Sequence, residues 1–217
     1  MTMRYAIFSD IHNHSEALQA ALQDAGRRSV DAYLCLGDVG IDTCINPLRA
    51  IGAETVFGNW EVSNWRALSA ANQRWALALP PMRKFDSFWI SHAAPIWPAK
   101  ITSLQTYLNT AYRLSFHTFF PYYLGQSDSL WQAFAELLAA RIPLLFHGHT
   151  HRQTVWALSL DDELTQEPAT NFTLPPGYTC IIGVGSVGQP RDLPSAAYLI
   201  FDTSQMAVEF IRLRPEL

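Results

Sequence analysis

RYAIFSDIH, Arg4 to His12, is the stretch from which the fold can be read. A short apolar run, Tyr5 to Phe8, is long enough for a buried strand and stops at the polar pair Ser9-Asp10. Ser15 then stands where a helix N-cap is expected, ahead of EALQAALQDAG, and Gly26 is its stop. The same order recurs downstream. DAYLCLGD (31–38) is predicted as a strand ending at Gly37-Asp38, and ETVFGN (54–59) as one ending at Gly58-Asn59. FWISH (88–92) ends at His92, and PLLFHGHTH (143–151) ends in His147 to His151. NPLRAIGA (46–53) and NWRALSAANQRWALAL (64–79) are predicted as helices between them. Strands alternating with helices predict an α/β (α+β) sheet with its site at the carboxyl ends of the strands.

The final third departs from that order. TVWAL, YTCIIGV, AAYLIF and MAVEFIRL are strands joined by Pro/Gly/Asp-rich loops, and they predict a second, more antiparallel sheet. Residues 97–141 interrupt the scheme with Tyr107, Tyr112, Phe116, Phe119, Phe120, Tyr122, Tyr123, Trp131 and Phe134. Two helices are expected there, over 102–117 and 127–141, separated by Pro121 and Gly125. This helical insertion packs over the strand ends; its aromatics are core, a lid or a dimer surface.

Composition narrows the function classes. The 217 residues suit one domain over 1–217, and 49% are hydrophobic against 16% charged. A net charge of −4 gives no electrostatic case for duplex nucleic acid or an anionic membrane, so affinity for phosphate must come from a local site. Cys35, Cys44 and Cys180 lack CxxC spacing and read as reduced, buried thiols. MTMRYAIFSD reads as neither signal peptide nor anchor, no apolar run approaches the ~18 residues of a membrane span, and the expected compartment is the cytoplasm.

At the strand ends stand Asp10 and His12, Asp38, Asn59, His92, and the pair His149 and His151. Oxygen and imidazole donors in this mixture suit Mn, Fe or Zn rather than a thiolate site. In an extended segment, two histidines at i and i+2 point the same way, so GHTH can present both to one cluster. The order SDIH, LGD, GN-x-E, SH and GHTH resembles the calcineurin-like metallophosphoesterases, and GSVGQPRD (185–192) is similar to their bacterial branch of small phosphodiesterases and diadenosine-polyphosphatase-like proteins. The resemblance implies a four-layer αββα sandwich of two mixed sheets flanked by helices. It implies one metal on Asp10, His12 and His151, a second on Asn59, His92 and His149, and Asp38 bridging both. Two divalent ions are implied, Mn first, with Fe, Zn, Ni or Mg as alternatives. They would lie ~3.5–4 Å apart and hold a bridging hydroxide for in-line attack on a phosphodiester, a nucleotide among the substrates considered, or on a phosphomonoester. A non-catalytic metal-binding scaffold of the same fold, and a protein or diadenosine-polyphosphate phosphatase, are the alternatives. A homodimer is compatible with either.

Trp60 departs from the family pattern, in which a histidine follows the asparagine. An indole N–H donates a hydrogen bond but delivers no proton near neutral pH. A substrate with a good leaving group, or a proton from His14 or His117, would compensate. Trp60 either stacks on a base or aryl group or packs in the interior. Glu61 either supports a ligand histidine or is a first-turn carboxylate. Asn13 touches phosphate or caps its turn, and Arg191 reaches phosphate or is solvated. Two competing readings fail. IIGVGSVG contains G-x-G-x-x-G, but Gln189-Pro190 follows where a dinucleotide fold needs a helix. DIHNH resembles the H-x-H of amidohydrolase barrels, a fold that leaves Asp38, Asn59 and GHTH unexplained.

Overall fold

In the computed structural model of the chain, residues 2–110, 116–123 and 125–213 are described. The first sheet contains β1 (Arg4–Phe8), β2 (Ala32–Cys35), β3 (Glu54–Thr55), β9 (Phe172–Thr173), β11 (Ala197–Asp202) and β12 (Ala207–Arg212), in the order β3-β2-β1-β11-β12-β9. The second contains β4 (Met82–Lys84), β5 (Trp89–Ser91), β6 (Leu144–His147), β7 (Gln153–Leu158), β8 (Leu164–Glu167) and β10 (Thr179–Val184), ordered β4-β5-β6-β10-β7-β8. Both are mixed. β1 is parallel to β2 and antiparallel to β11, while β10 is parallel to β6 and antiparallel to β7.

Period-two alternation explains the layers. On β1, Tyr5 and Ile7 face the second sheet and meet Leu144, Phe146 and Ile182 in the inter-sheet core. Ala6 and Phe8 face outward onto Leu18 and Ala21 of α1 (Ser15–Gly26) and Ile45 and Leu48 of α2 (Asp42–Ala50). On the far side, Leu145, Trp156 and Ile181 receive Leu130, Phe134 and Leu137 of α7 (Asp128–Ala140). The result is a helix–sheet–sheet–helix sandwich, as the resemblance implied. Gln153 links the two sheets from within: its amide donates to the carbonyls of Tyr198 (3.1 Å) and Ile211 (3.3 Å), and its oxygen accepts from Arg212 Nε at 2.8 Å.

Four expectations are corrected. The late strands do not form a sheet of their own: β11 and β12 extend the first sheet, and β7 and β10 join the second. Residues 64–79 are not one helix. Asn59–Asn64 form α3, Trp65–Ala67 a 3-10 turn, and Ala70–Ala78 form α4 after Ser69 turns extended (φ −60°, ψ 154°). The helix expected at 46–53 is α2 and begins at Asp42. Within the insertion, α5 (Leu104–Thr110) and α6 (Phe116–Phe119) stand where one helix was expected; Tyr112 lies outside the described residues. Tyr107, Phe119, Phe120, Tyr123 and Phe134 are buried, so much of this aromatic content is core.

Candidate metal centre

Every strand end singled out in the sequence opens toward one place. Asp10 and His12 follow β1, Asp38 follows β2, and Asn59 follows β3, all from the first sheet. His92 follows β5, and His149 and His151 follow β6, from the second sheet. Asp10, Asp38, His92, His149 and His151 are all buried. Close approach requires glycine at Gly58, where a Cβ would run into Asp38 and into His92 Cε1, and at Gly188, where it would meet the Ile11 carbonyl.

Two sets of donors result. In the first, His151 Nε2 lies 3.1 Å from His12 Nε2 and 3.3 Å from Asp10 Oδ1, and His12 Nε2 is 3.7 Å from Asp10 Oδ1. In the second, His92 Nε2 lies 3.4 Å from Asp38 Oδ2 and 3.1 Å from Asn59 Oδ1. Asp38 Oδ2 is also 3.5 Å from His12 Nε2, so one oxygen belongs to both. Two ligands held ~2.1 Å from a common ion at tetrahedral or octahedral angles are about 3.0–3.4 Å apart. Four of the observed edges, at 3.1–3.4 Å, have that size, and the two to His12 from Asp38 and Asp10 are slightly longer at 3.5 and 3.7 Å. Asp10, His12 and His151, and Asp10, Asp38 and His92, each fit a divalent ion.

Backbone carbonyls set the tautomers. His92 Nδ1–H donates to Leu36 O at 2.7 Å and His151 Nδ1–H to Gln189 O at 2.7 Å, leaving the Nε2 lone pair of each for the cluster. His149 is reversed: Nε2–H donates to Phe120 O at 3.1 Å, leaving Nδ1 as its free donor. Its main-chain N–H meanwhile holds Asp10 Oδ1 and Oδ2 at 3.2 and 3.0 Å. GHTH is not extended, since His149 and His151 are left-handed at φ 64° and 59°. A turn, rather than strand alternation, brings the pair in. The main-chain N–H of Trp60 donates to Asp38 Oδ1 at 2.7 Å, which leaves Oδ2 as the shared atom.

Electrostatics follow from burial among carboxylates. Burial would push His92 down, but Asp38 and Asp10 outweigh it and hold it up at about 9, so an arriving cation must displace its Nε2 proton to use that lone pair. Burial would raise Asp10, yet its bond to His12 and the nearby His92 and His151 hold it well below the usual carboxylate range. Burial, then the charge of His92, presses His149 down to about 3.

Of the two roles open to Glu61, the first-turn carboxylate of α3 is the one observed. Its carboxylate accepts from Asp38 N (2.9 Å), Val39 N (2.8 Å) and Gly58 N (2.7 Å), so it shapes the Asp38 loop through the main chain. Burial, then the charge of Asp38, raises its pKa. The Trp60 ring is half-buried against the outer core of the first sheet. Asn13 and His14 are exposed at the entry to α1, with Asn13 left-handed at φ 71°. Arg191 is exposed and its N–H donates to His151 O at 3.0 Å. His117 is exposed on α6, where its ring meets Phe116. Sequence reasoning missed Ser186, whose hydroxyl donates to Asp10 O at 2.6 Å, and the carbonyls of Gln189 and Phe120. A carbonyl carries no side-chain signature, so those two roles had no signal to find.

The family model for the calcineurin-like phosphoesterase superfamily domain matches residues 3–206. The uncharacterized protein MJ0912 of Methanocaldococcus jannaschii is 26% identical over 229 residues, covering 98% of this chain and 88% of that protein. A metallophosphoesterase from Sphaerobacter thermophilus is similar in structure, with a TM-score of 0.73 and 26% identity over 98% of this chain and 89% of that one. Protein PH1004 of Pyrococcus horikoshii shares the fold at a TM-score of 0.66 and 12% identity, covering 98% and 88% of the two chains.

Proposed function

Since the chain belongs to the calcineurin-like phosphoesterase superfamily, we propose that it is a phosphoesterase using two divalent metal ions, manganese first, and preferring phosphodiesters over monoesters. The observation that carries this reading is Asp38 Oδ2, set 3.5 Å from His12 Nε2 and 3.4 Å from His92 Nε2, as a shared ligand must be. Asp10, His12 and His151 would hold one ion, and Asn59, His92 and His149 the other. When bound, the ions supply Lewis acidity toward phosphoryl oxygens and activate water for in-line attack. Asn59 contributes a neutral amide oxygen, so the loaded site keeps net positive charge for a phosphate. Asn13 and Arg191 would supply the phosphate contacts.

The diester preference is argued from Trp60. Its indole N–H is not acidic near neutral pH and its ring packs on the core, so it delivers no proton to a leaving oxygen. A missing general acid typically costs ~10²–10⁴-fold, a loss that good leaving groups tolerate. His14 and His117 remain the proton donors considered. The buried thiols Cys35, Cys44 and Cys180 suit a reducing, cytoplasmic setting, and no described helix is long and apolar enough to cross a membrane.

The test is Mn²⁺-dependent hydrolysis of bis-p-nitrophenyl phosphate by the wild type, Asp38→Ala and Asp38→Asn. Turnover at least ~10³-fold lower in both variants is expected, with circular dichroism unchanged. Equal turnover in folded variants, or none in the Mn²⁺-bound wild type, sinks the proposal.

A further inference from the structure

Resting on that reading, we infer that Tyr122, in the segment following α6, is the specificity-determining residue of the site and selects phosphoesters that carry a flat aromatic group, an aryl or nucleobase ester. Four aromatics flanking Pro121, Phe119 and Phe120 before it and Tyr122 and Tyr123 after it, divide by direction. Phe119, Phe120 and Tyr123 are buried, at 4%, 1% and 1% exposure, whereas Tyr122 is 48% exposed. Tyr123 turns inward and meets His147 edge-on, with centroids 5.0 Å apart. Tyr122 turns outward and lies on His149, centroids 4.2 Å apart and planes 30° apart.

One part of the Tyr122 ring is therefore fixed against a metal-ligand imidazole while the rest meets solvent. A tyrosine serving the core would be covered, as Tyr123 is. The base beneath it is rigid. Phe120, two residues earlier, accepts the His149 Nε2–H at its carbonyl and packs its ring with centroids 6.1 Å from His149 and 6.0 Å from His92. Trp97 stacks on Phe119 at 4.6 Å and meets Phe57 at 5.4 Å, which ties the segment to the strand end bearing Asn59. Trp60, the other aromatic in contention, is packed on the core and has less to offer as a platform. A phosphate seated between the ligand sets would thus have an aromatic wall at its His149 side and the exposed Arg191 beside His151. Stacking on such a wall recognises any flat π-face, whatever its hydrogen-bonding edge.

The experiment uses Mn²⁺-loaded protein and two phosphonates whose C–P bond is not hydrolysed, phenylphosphonate and methylphosphonate, with binding measured by calorimetry. Wild type is expected to prefer the phenyl compound about five- to tenfold. Tyr122→Phe keeps that preference and Tyr122→Leu reduces it to below twofold, with Mn²⁺ affinity unchanged in all three. A wild type without preference, a preference surviving in Tyr122→Leu, or Tyr122→Phe behaving like Tyr122→Leu overturns the inference. Loss of Mn²⁺ binding in Tyr122→Leu also overturns it, because the ring would then serve only to hold His149. Failure of the phosphoesterase reading would appear separately, as an absence of turnover in wild type on any phosphoester probe.

Discussion

Asp10, His12, Asp38, His149 and His151 all sit in the left-handed region, at φ between 46° and 64°. None is glycine, and each such residue costs about 1–3 kcal/mol that its surroundings must offset. The surroundings are on hand. Asp10 O accepts from Ser186 Oγ and Gly188 N, and Asp38 N donates to Glu61. Glu61→Ala would leave the buried N–H groups of Asp38, Val39 and Gly58 without their acceptor, at ~1 kcal/mol or more each. Destabilisation of about 3 kcal/mol or more and a ~10–100-fold loss of Mn²⁺ affinity are expected, read from urea midpoints and metal titration. Glu61→Gln should be poor as well, since its NH₂ would face an N–H; a Gln variant as stable as wild type would refute this account. The donor atoms were legible in SDIH, LGD, GN, SH and GHTH because their chemistry sits on side chains at strand ends. The left-handed backbone was not, because Asp and His do not require it and distant residues impose it.

Among the elements, the strand ends were easier to foresee than the strands. β3 keeps two residues of the predicted ETVFGN, because its neighbour β2 pairs with it only through Glu54 and Thr55. Residues 64–79 looked like one helix from apolar content alone, but the chain must turn after Asn64 to bring Leu68 and Ala76 into the same core. The insertion was visible as aromatic composition, and its division into core and exposed residues was not. Trp97 and Trp131 separate the two. Trp97 contacts Phe57, Tyr107, Phe119 and Phe120, and its Nε1 donates to Ala94 O at 2.9 Å. Trp97→Ala is expected to cost ~3–5 kcal/mol and to weaken Mn²⁺ binding through the Phe120 carbonyl. Trp131 is 41% exposed on α7, and Trp131→Ala should cost under ~1 kcal/mol with metal binding intact. Thermal denaturation and Mn²⁺ titration of both variants decide it, and a Trp131 loss equal to that of Trp97 would contradict the division.

Across the whole molecule, each donor set draws on both sheets: Asp10 and His12 with His151, and Asp38 and Asn59 with His92. The sheets are already joined beneath the site by Gln153. That the donors converge on one site was legible from the sequence order; that they come from two sheets was not, because β5 and β6 join the late strands β7 and β10 while β11 returns to pair with β1 across most of the chain. Mn²⁺ at ~100 times its dissociation constant should add about 2.7 kcal/mol of stability, or roughly 5–10 °C in Tm, removed by a chelator. The contact between Asp10 and His149 spans 139 positions, and neither loop holds a ligand set alone. A site of this kind does not exist until its sheets have docked, so the cation arrives too late to guide folding. It acts as a latch on the finished product. Its whole effect should therefore fall on the rate of escape: in stopped-flow experiments unfolding slows ~100-fold with Mn²⁺ while refolding keeps its rate, and a refolding limb that accelerates would place the metal earlier in the assembly.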